Sequence, residues 1–391
     1  MPAMGRRIAH LDMDAFYASV ELLRYPKLRG LALVIGGRRR SGYAADDAAA
    51  QFPRLREYTG RGVATTATYE ARALGVNSGM GLMRAARLAP DAFLLPPDFD
   101  QYTRYSRLFK AAVASIAPRI EDRGIDEIYI DLTDVSGESS ELAQRIKNKV
   151  KQATGLSSSI GVAPNKLLAK IASDLNKPDA LTVIQESDIA ALIWPLSARK
   201  INGVGPRTSA KLAALGIQTI GDLAHATALE LIENFGKHYG PWLIAAALGQ
   251  DESALVTERE PKSISRETTF ERDLDPRGDR ELLSQILLDL CERLSADLSR
   301  KGYAGKTIGV KLRYADFTTV TRDVTLERAT SEAQTIRGAA RTCLKRTVLD
   351  RKLRLLGIRV GALLRIEGRR PHSGALGNEV EESNDSLRLF D

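Results

Sequence analysis

The chain has 391 residues, more than one ordinary hydrophobic core accommodates, so we expect several domains. Lys and Arg number 57 against 49 Asp and Glu, and the resulting net charge of +8 suits a polyanionic partner. The two cysteines, Cys291 and Cys343, are too few for a disulfide framework and lack metal-ligand spacing, which favours a reducing, cytoplasmic setting. No apolar run is long enough to span a bilayer, and the N-terminus lacks the apolar core of a signal peptide. Membrane proteins and disulfide scaffolds are therefore disfavoured.

The N-terminal stretch RIAHLDMDAFYASVELL, from Arg7 to Leu23, predicts a strand that runs into a helix. The strand passes two carboxylates, Asp12 and Asp14. The helix is indicated by apolar residues at i, i+4 and i+7 spacing, which are Phe16, Val20 and Leu23. The segment therefore places acidic side chains where a strand gives way to a helix.

A second strand carries two adjacent carboxylates in GIDEIYIDLTD, where Asp126 and Glu127 follow a hairpin tip at Arg123-Gly124. A solvated hairpin tip is the simplest explanation of such a pair. Together with Asp12 and Asp14, however, the pair predicts a divalent-metal site, because Mg²⁺ takes a few carboxylates and keeps waters and substrate phosphates as its other ligands. Two such ions on adjacent strands would serve phosphoryl or nucleotidyl transfer.

Two further segments carry groups that could bind phosphates. In ATTATYEARALGV, Tyr69 and Arg72 are three residues apart and share one face if the segment is helical. In GVAPNKLLAKIASDLNKPDA, three lysines are predicted to lie around a helix: Lys166, Lys170 and Lys177. Each side chain alone fits a solvated charged face. Beside a metal site they become candidates for holding a triphosphate, since Arg offers a bidentate fork and Lys a point charge.

The stretch INGVGPRTSAKLAALGIQTIGDL, from Ile201 to Leu223, has a helix-hairpin-helix form, in which Gly-x-Gly precedes a helix that ends in Leu-Gly-Ile. Such glycines permit positive φ and bring N–H groups near a helix N-terminus, which binds a nucleic-acid phosphate without reading sequence. A plain helix-helix turn is the alternative. We predict DNA contacts at Gly203, Gly205 and Lys211.

The chain divides by pattern into segments. Residues 1–185 alternate strand-like and helix-like stretches, with a polar, basic, extended loop at 38–62. Residues 186–255 are predicted to be all-helical, and a polar linker at 256–265 leads to another α/β segment at 266–367. The last residues, 368–391, are polar and acidic up to SLRLFD, and we expect a disordered tail.

Five stretches, in this order and spacing, resemble the Y-family translesion DNA polymerases, most closely the bacterial DNA polymerase IV group of the DinB type. They are HLDMDAFYASVE, TYEARALGV, GIDEIYIDLT, GVAPNKLLAKIASDLNKP and INGVGPRTSAKLAALGI. The resemblance implies a multidomain α/β fold. An α+β palm with a mixed sheet would comprise residues 1–15 and 98–185, and small fingers residues 16–97. An all-helical thumb would comprise residues 186–255, with the helix-hairpin-helix at 201–223. After the 256–265 linker, an α/β little finger would follow.

The resemblance also implies roles for residues. Asp12, Asp126 and Glu127 match the catalytic carboxylates, which with the backbone carbonyl of Met13 would bind two Mg²⁺ ions, for which Mn²⁺ can substitute. Tyr17 matches the steric gate beneath the incoming sugar, although a core aromatic on the first helix would look the same. The nucleotide-binding positions implied are Ala15, Phe16, Tyr17, Thr66, Tyr69, Arg72 and Lys177.

The implied partners are primer-template DNA, a deoxynucleoside triphosphate and the bacterial sliding clamp, with the chain acting as a monomer. Leu387, Leu389 and Phe390 resemble a clamp-binding pentapeptide in which Ser386 stands where Gln is usual.

The resemblance implies a template-directed DNA polymerase that adds deoxynucleotides opposite damaged bases with low fidelity. Two other functions are the alternatives to this interpretation. A catalytically inactive, polymerase-recruiting adaptor would lack some carboxylates, and a nucleotidyl cyclase would need neither a helix-hairpin-helix nor a basic DNA clamp. No second acidic cluster suggests a proofreading exonuclease.

Overall fold

The computed structural model of the chain describes residues 5–37 and 52–366. The chain forms two compact units, Met1–Glu258 and Arg259–Asp391, and each has its own hydrophobic core. The expectation of more than one domain is therefore confirmed. Most of the predicted 38–62 loop and the predicted tail at 368–391, with its clamp-binding residues, lie outside the described residues. Among the residues described, no helix has the length and apolar character needed to cross a membrane.

The strands of the first unit form two sheets. In chain order they are β1 (Ile8–Met13), β2 (Leu33–Gly36), β3 (Ala64–Ala67), β4 (Phe93–Leu95), β5 (Ile120–Asp122), β6 (Glu127–Asp131), β7 (Ser158–Ala163) and β8 (Leu181–Val183). The larger sheet has the order β5-β6-β1-β7-β8, in which only β7 and β8 are parallel, so it is mixed as predicted. Its register places Asp12 opposite Glu127, which brings carboxylates of two strands to one end of the sheet.

The helices of the first unit pack either on the two faces of this sheet or on the smaller sheet. In chain order they are α1 (Phe16–Arg24), α2 (Tyr69–Ala73), α3 (Leu82–Leu88), α4 (Phe99–Ala114), α5 (Ser139–Thr154), α6 (Lys166–Leu175), α7 (Pro206–Ala214), α8 (Ile220–His225), α9 (Ala228–Phe235) and α10 (Tyr239–Ala247). One core joins Leu11 and Ile128 of the sheet to α1, α4 and α5, and a second joins Ile8 and Tyr129 to α6 and the later helices. Thus α1, which begins at the predicted start of the fingers, packs with elements of the predicted palm.

The smaller sheet has the order β3-β2-β4, and it packs with α2 and α3 around a separate core. Leu55 belongs to that core and lies in a short 3₁₀ turn at Leu55–Glu57, and Phe52 is buried in the core beside α1. The prediction of an extended polar loop is therefore wrong for residues 52–62. Phe52 and Leu55 anchor this segment in the two cores. The overall polar and basic composition of the segment gave no sign of these two apolar contacts.

The segment at 186–255 is mostly helical, as predicted. It opens with short 3₁₀ and π turns before α7, and α7 to α10 share a core with α6. The helices end at Ala247, so the last residues of the segment are not helical. Instead, Asn165 Nδ2 donates to the carbonyl of Gly249 at 2.7 Å, and Asp251 accepts from the N–H of Leu167 at 3.0 Å. These bonds fasten the end of the helical segment to α6.

The second unit packs two helices on one face of an antiparallel sheet. Its elements are β9 (Ser263–Leu274), α11 (Arg280–Lys301), β10 (Tyr303–Tyr314), β11 (Thr319–Thr330), α12 (Ala333–Lys345) and β12 (Leu353–Arg365), and the strand order is β11-β10-β12-β9. Both cysteines are buried here as free thiols. Because β9 begins at Ser263, the last three residues of the predicted 256–265 linker are part of a strand, which corrects that boundary.

The contact between α6 and β7 depends on Gly161. A Cβ added at Gly161 would lie 2.3 Å from the nitrogen of Ser173 and 2.4 Å from the carbonyl oxygen of Ala169. Both atoms are backbone, so α6 would have to move. We expect Gly161→Ala to lower the free energy of unfolding by about 1–3 kcal/mol, measured by urea unfolding followed by circular dichroism.

A control substitution is available at Gly338 in α12, where no atom lies within 4 Å of an added Cβ. Gly338→Ala should raise stability by up to about 1 kcal/mol, since Ala is the better helix former. Equal effects of the two substitutions would contradict the tight contact between α6 and β7.

Candidate active site

One cavity of about 240 Å³ lies where β1 ends and β6 begins. Its lining contains every residue that the family resemblance implied for metal or nucleotide binding except Glu127. The lining residues are Asp12, Met13, Ala15, Phe16, Tyr17, Thr65, Thr66, Tyr69, Arg72, Ser78, Asp126 and Lys177. Thr65 and Ser78 were not predicted, because small polar residues in a loop or strand carry no distinctive pattern.

The local backbone explains why these residues meet. The N–H of Met13 donates to the carbonyl of Asp126 at 3.0 Å, which joins the end of β1 to the start of β6. Ala15 then adopts a left-handed conformation with φ 43° and starts α1, so that Phe16 and Tyr17 follow the carboxylates directly. The sharp change from strand to helix thus places acidic and aromatic side chains in the same cavity.

Asp12 is paired with a lysine inside the cavity. Lys177 Nζ lies 3.0 Å from Asp12 Oδ2 and 2.7 Å from Asp174 Oδ1. Burial raises the pKa of Asp12, an effect that Lys177 reduces without cancelling. Burial also opposes the charge of Lys177, but Asp12 and Asp174 outweigh it and raise the pKa of this lysine. The positive charge beside Asp12 in the cavity is therefore the ammonium of Lys177.

Glu127 and Asp126 are adjacent but differ in their electrostatic surroundings. Glu127 Oε2 lies 2.6 Å from Lys170 Nζ and 3.3 Å from Nε2 of the fully buried His10. The bond from His10, together with Lys170, lowers the pKa of Glu127 to about 2 despite partial burial. Burial and the charge of Glu127 raise the pKa of Asp126. The pair therefore tolerates its repulsion because Glu127 has its own positive partner.

The other two lysines of the predicted triphosphate group lie elsewhere. Lys166 Nζ pairs with the fully buried Glu121 at 2.6 Å, and Lys170 pairs with Glu127, so neither lines the cavity. Lys177 does line it, but it lies beyond the end of α6 rather than on the helix. The prediction of three lysines presented together around a helix is therefore wrong. Lys166 is drawn away from the cavity by Glu121, because a buried carboxylate requires a positive partner.

Tyr17 lies on a layer of aromatic rings. It stacks on Tyr102 with centroids 4.4 Å apart and meets Phe99 edge-on at 5.9 Å. The hydroxyl of Tyr102 donates to the buried carboxylate of Glu21 at 2.7 Å, and Arg24 lies 3.2 Å from the same carboxylate. Tyr17 is thus both packed against the core and exposed to the cavity, with its ring position set from below.

Tyr69 and Arg72 share one face of α2, as their spacing predicted. The guanidinium of Arg72 lies 5.0 Å from the ring centre of Tyr69 and is held by bonds to the Ala67 carbonyl and the Thr66 hydroxyl, at 3.0 and 3.3 Å. Burial raises the pKa of Tyr69 to about 12, so it keeps its proton. Within the described part of the chain its buried hydroxyl has no hydrogen-bond partner, which leaves a donor at the cavity wall.

Comparison with known proteins gives a consistent picture. Residues 11–174 match the impB/mucB/samB family, residues 261–374 match its C-terminal domain, and residues 199–251 match the DNA polymerase-iota thumb domain. DNA polymerase IV of Alkalilimnicola ehrlichii is 39% identical over 365 residues, which cover 92% of this chain and 96% of that protein. DNA polymerase IV of Methanoculleus marisnigri is 38% identical, covering 93% of this chain and 96% of that protein.

A solved structure of a Y-family DNA polymerase chimera, Dbh-Dpo4(243-245)-Dbh, is similar with a TM-score of 0.77 and 26% identity, over 92% of this chain and 99% of that chain. This chain belongs to the impB/mucB/samB family, the Y-family DNA polymerases. The resemblance drawn from the five motifs is therefore confirmed, and so is the predicted multidomain fold.

The helix-hairpin-helix of this Y-family chain is formed by a turn and α7. Gly203 has φ 113°, and Gly205 precedes the first residue of α7. A Cβ at Gly203 would lie 2.8 Å from the ring of Trp242, and the hydroxyl of Tyr239 donates to the Gly203 carbonyl at 2.9 Å. Lys211 donates to the carbonyl of Asn234. The turn at Gly203 is thus held against Tyr239 and Trp242 of α10. The ammonium of Lys211 contacts α9 and not this turn.

The donor set of the cavity suits a hard divalent cation. Across residues 5–37 and 52–366, no three acidic, His or Cys side chains are gathered into a closed metal site. Mg²⁺ does not require one, because it is usually bound through one or two carboxylates together with substrate phosphates. Asp12 and Asp126 both line the cavity with Met13, and Lys177 already supplies positive charge at Asp12. The residues present therefore fit such an ion.

Proposed function

We propose that this chain is a template-directed DNA polymerase that adds deoxynucleotides to a primer 3′ end opposite damaged bases, with low fidelity and without proofreading. The observation that carries the proposal is the cavity, which gathers Asp12 and Asp126 with Tyr17, Arg72 and Lys177 in a chain of the Y-family. Carboxylates, an aromatic floor and basic side chains are what a nucleoside triphosphate and its metal ions require.

The cavity residues divide the nucleotide between them. Lys177 and Arg72 would bind the triphosphate, the first as a point charge and the second as a planar fork, and the free hydroxyl of Tyr69 would donate a further hydrogen bond. Tyr17 would lie beneath the sugar, where its ring meets a 2′-hydroxyl. The nucleotide would thus be held with the α-phosphorus facing the primer 3′-oxygen.

Asp12, Asp126 and Glu127, with the carbonyl of Met13, would hold two Mg²⁺ ions, for which Mn²⁺ can substitute. When bound, the ions supply charge stabilisation to the attacking and leaving oxygens. In the described structure Lys177 balances the charge of Asp12, and His10 and Lys170 contact Oε2 of Glu127, so an ion would bind through its other oxygen, Oε1.

The remaining contacts would be with the DNA and with a second protein. Gly203, Gly205 and Lys211 would bind the DNA backbone, and Leu387, Leu389 and Phe390 would bind the bacterial sliding clamp. We propose a cytoplasmic monomer. The rival adaptor role needs no intact carboxylates, whereas Asp12, Asp126 and Glu127 are all present at one end of the sheet. Primer extension distinguishes the polymerase from the adaptor and from a nucleotidyl cyclase.

The first test concerns Asp126. Asp126→Ala removes a cavity carboxylate and should abolish primer extension, measured with gel-resolved products, while primer-template affinity stays within about twofold. The control is Asp122→Ala, which removes an exposed carboxylate of the same hairpin that is paired with Lys110 at 2.7 Å. The control should extend primers at nearly the parental rate. An Asp126→Ala variant that does the same would refute the assignment.

The second test concerns sugar selection. Tyr17→Ala removes the ring beneath the sugar and should raise ribonucleotide insertion relative to deoxynucleotide insertion about tenfold or more, where each ~1.4 kcal/mol is a factor of ten. The measurement is the ratio of kcat/KM for the two nucleotides. Tyr17→Phe keeps the ring and should keep the ratio. If Tyr17→Ala leaves the ratio unchanged, the ring is structural.

The third test concerns the chain end. Removing residues 386–391 should leave extension of short primers unchanged and abolish stimulation by a loaded sliding clamp, because tethering raises effective concentration without a new catalytic contact. The control replaces Leu387, Leu389 and Phe390 by Ala at full length, and it should lose stimulation equally. Equal stimulation of the parent and both variants would show that these residues are not the tether.

A further inference from the structure

Asp14 is a second carboxylate of the same motif whose surroundings differ from those of Asp12. If β1 continued, the two side chains would share a face of the sheet, because strand side chains alternate. The strand ends at Met13, however, and Asp14 is buried and does not line the cavity. Its Oδ1 accepts from the Ser159 hydroxyl at 2.7 Å, and its Oδ2 accepts from the N–H of Asp179 at 2.9 Å. Both oxygens are therefore engaged by the chain itself.

Asp179 is held from a second side. Lys147, a buried lysine of α5, donates to the carbonyl of Asp179 and lies 2.9 Å from its carboxylate; it also donates to the carbonyl of Ala180 at 3.0 Å. Asp179 has φ 56°, a left-handed conformation that a residue with a side chain adopts only where its surroundings hold it. Asp14 holds its N–H and Lys147 its carbonyl, so the backbone is fixed on both sides.

This fixed turn carries Lys177, two residues before Asp179. Lys177 itself lies outside every helix and strand, since α6 ends at Leu175 and β8 begins at Leu181, although its ammonium also pairs with Asp174 of α6. The turn sets where the backbone of Lys177 lies, and from that backbone the ammonium reaches Asp12 Oδ2 at 3.0 Å and Asp174 Oδ1 at 2.7 Å. Long lysine side chains lose affinity for a phosphate when their backbone is free to move, because each geometry must then be selected again on binding.

We propose that Asp14 is a positioning residue for nucleotide binding: it holds the 177–179 turn so that Lys177 reaches the triphosphate, and it binds no metal ion. The proposal rests on the proposed function. Two carboxylates of one Asp-x-Asp motif thus have different roles, Asp12 in the cavity and Asp14 behind it. Asn at position 14 could keep both contacts, since its amide oxygen accepts from Asp179 and its amide nitrogen donates to Ser159.

The experiment compares Asp14→Ala, Asp14→Asn, Lys177→Ala and the double variant Asp14→Ala/Lys177→Ala in the full chain. Nucleotide affinity is measured on a primer ended with a dideoxynucleotide, so that no chemistry occurs, and kcat and KM are measured on an extendable primer. Asp14→Ala should weaken nucleotide affinity about tenfold, with primer-template affinity changed less than about twofold. Asp14→Asn should restore most of the affinity, whereas Asp12→Asn should abolish extension.

The double variant tests whether Asp14 acts through Lys177. In the Lys177→Ala background, Asp14→Ala should add less than about a twofold loss, because the turn then has no ammonium to position. A full tenfold loss in that background, or an Asp14→Asn variant as inactive as Asp12→Asn, would overturn the proposal. A second variant, Lys147→Met, releases the other side of Asp179 and should also weaken nucleotide affinity. Parental affinity of Lys147→Met would contradict the proposal even if Asp14→Ala does not fold.

These outcomes are distinct from failure of the proposed function. If the unsubstituted chain does not extend a primer, the polymerase assignment is refuted. If it extends primers and the Asp14 and Lys147 variants bind nucleotide as the parent does, only the positioning role is refuted.

Discussion

The repulsion among Asp12, Asp126 and Glu127, gathered at one end of a sheet, is the constraint on which the rest of the site depends. Two lysines offset it: Lys170 from α6 pairs with Glu127, and Lys177 just beyond α6 pairs with Asp12. Within residues 5–37 and 52–366, Asp126 forms no such ion pair, and burial together with the charge of Glu127 raises its pKa. One helix and its exit turn therefore balance two of the three carboxylates, which explains why α6 must pack as closely on β7 as Gly161 allows.

The cavity side chains are each held by a residue behind them. Tyr17 rests on Tyr102, and Glu127 is held by His10 and Lys170. Arg72 is bonded to the backbone of β3. Groups supported in this way keep one geometry, which matters because an error of an ångström in a reacting centre costs large factors in rate. Mutations one layer behind the cavity should thus affect selectivity and affinity before they affect stability.

The family resemblance named most of the residues that line the cavity, and the i, i+3 spacing of Tyr69 and Arg72 is a local signal that places both on one face of α2. The sequence could not predict where Lys166 points, because nothing in the pattern marks Glu121 as buried. Nor could the strand pattern separate Asp14 from Asp12, since it does not show that the strand ends at Met13; only the family resemblance singled out Asp12. What failed in each case was a long-range contact: a buried charge acquires its partner from a segment far along the chain.

The second unit bears ion pairs of a different kind. On the sheet face opposite its helices, Lys311 pairs with Glu267 at 2.8 Å and Arg359 with Asp323 at 2.9 Å, and these side chains are between 35% and 46% exposed. Exposed pairs contribute only about 0–1 kcal/mol, so these two pairs add little to the stability of the unit. Breaking the partly buried pairs of the active site would instead leave a poorly solvated charge without its partner. The two sets of ion pairs therefore differ in their consequences: those of the second unit can be lost at little cost in stability, whereas those of the cavity keep its carboxylates paired.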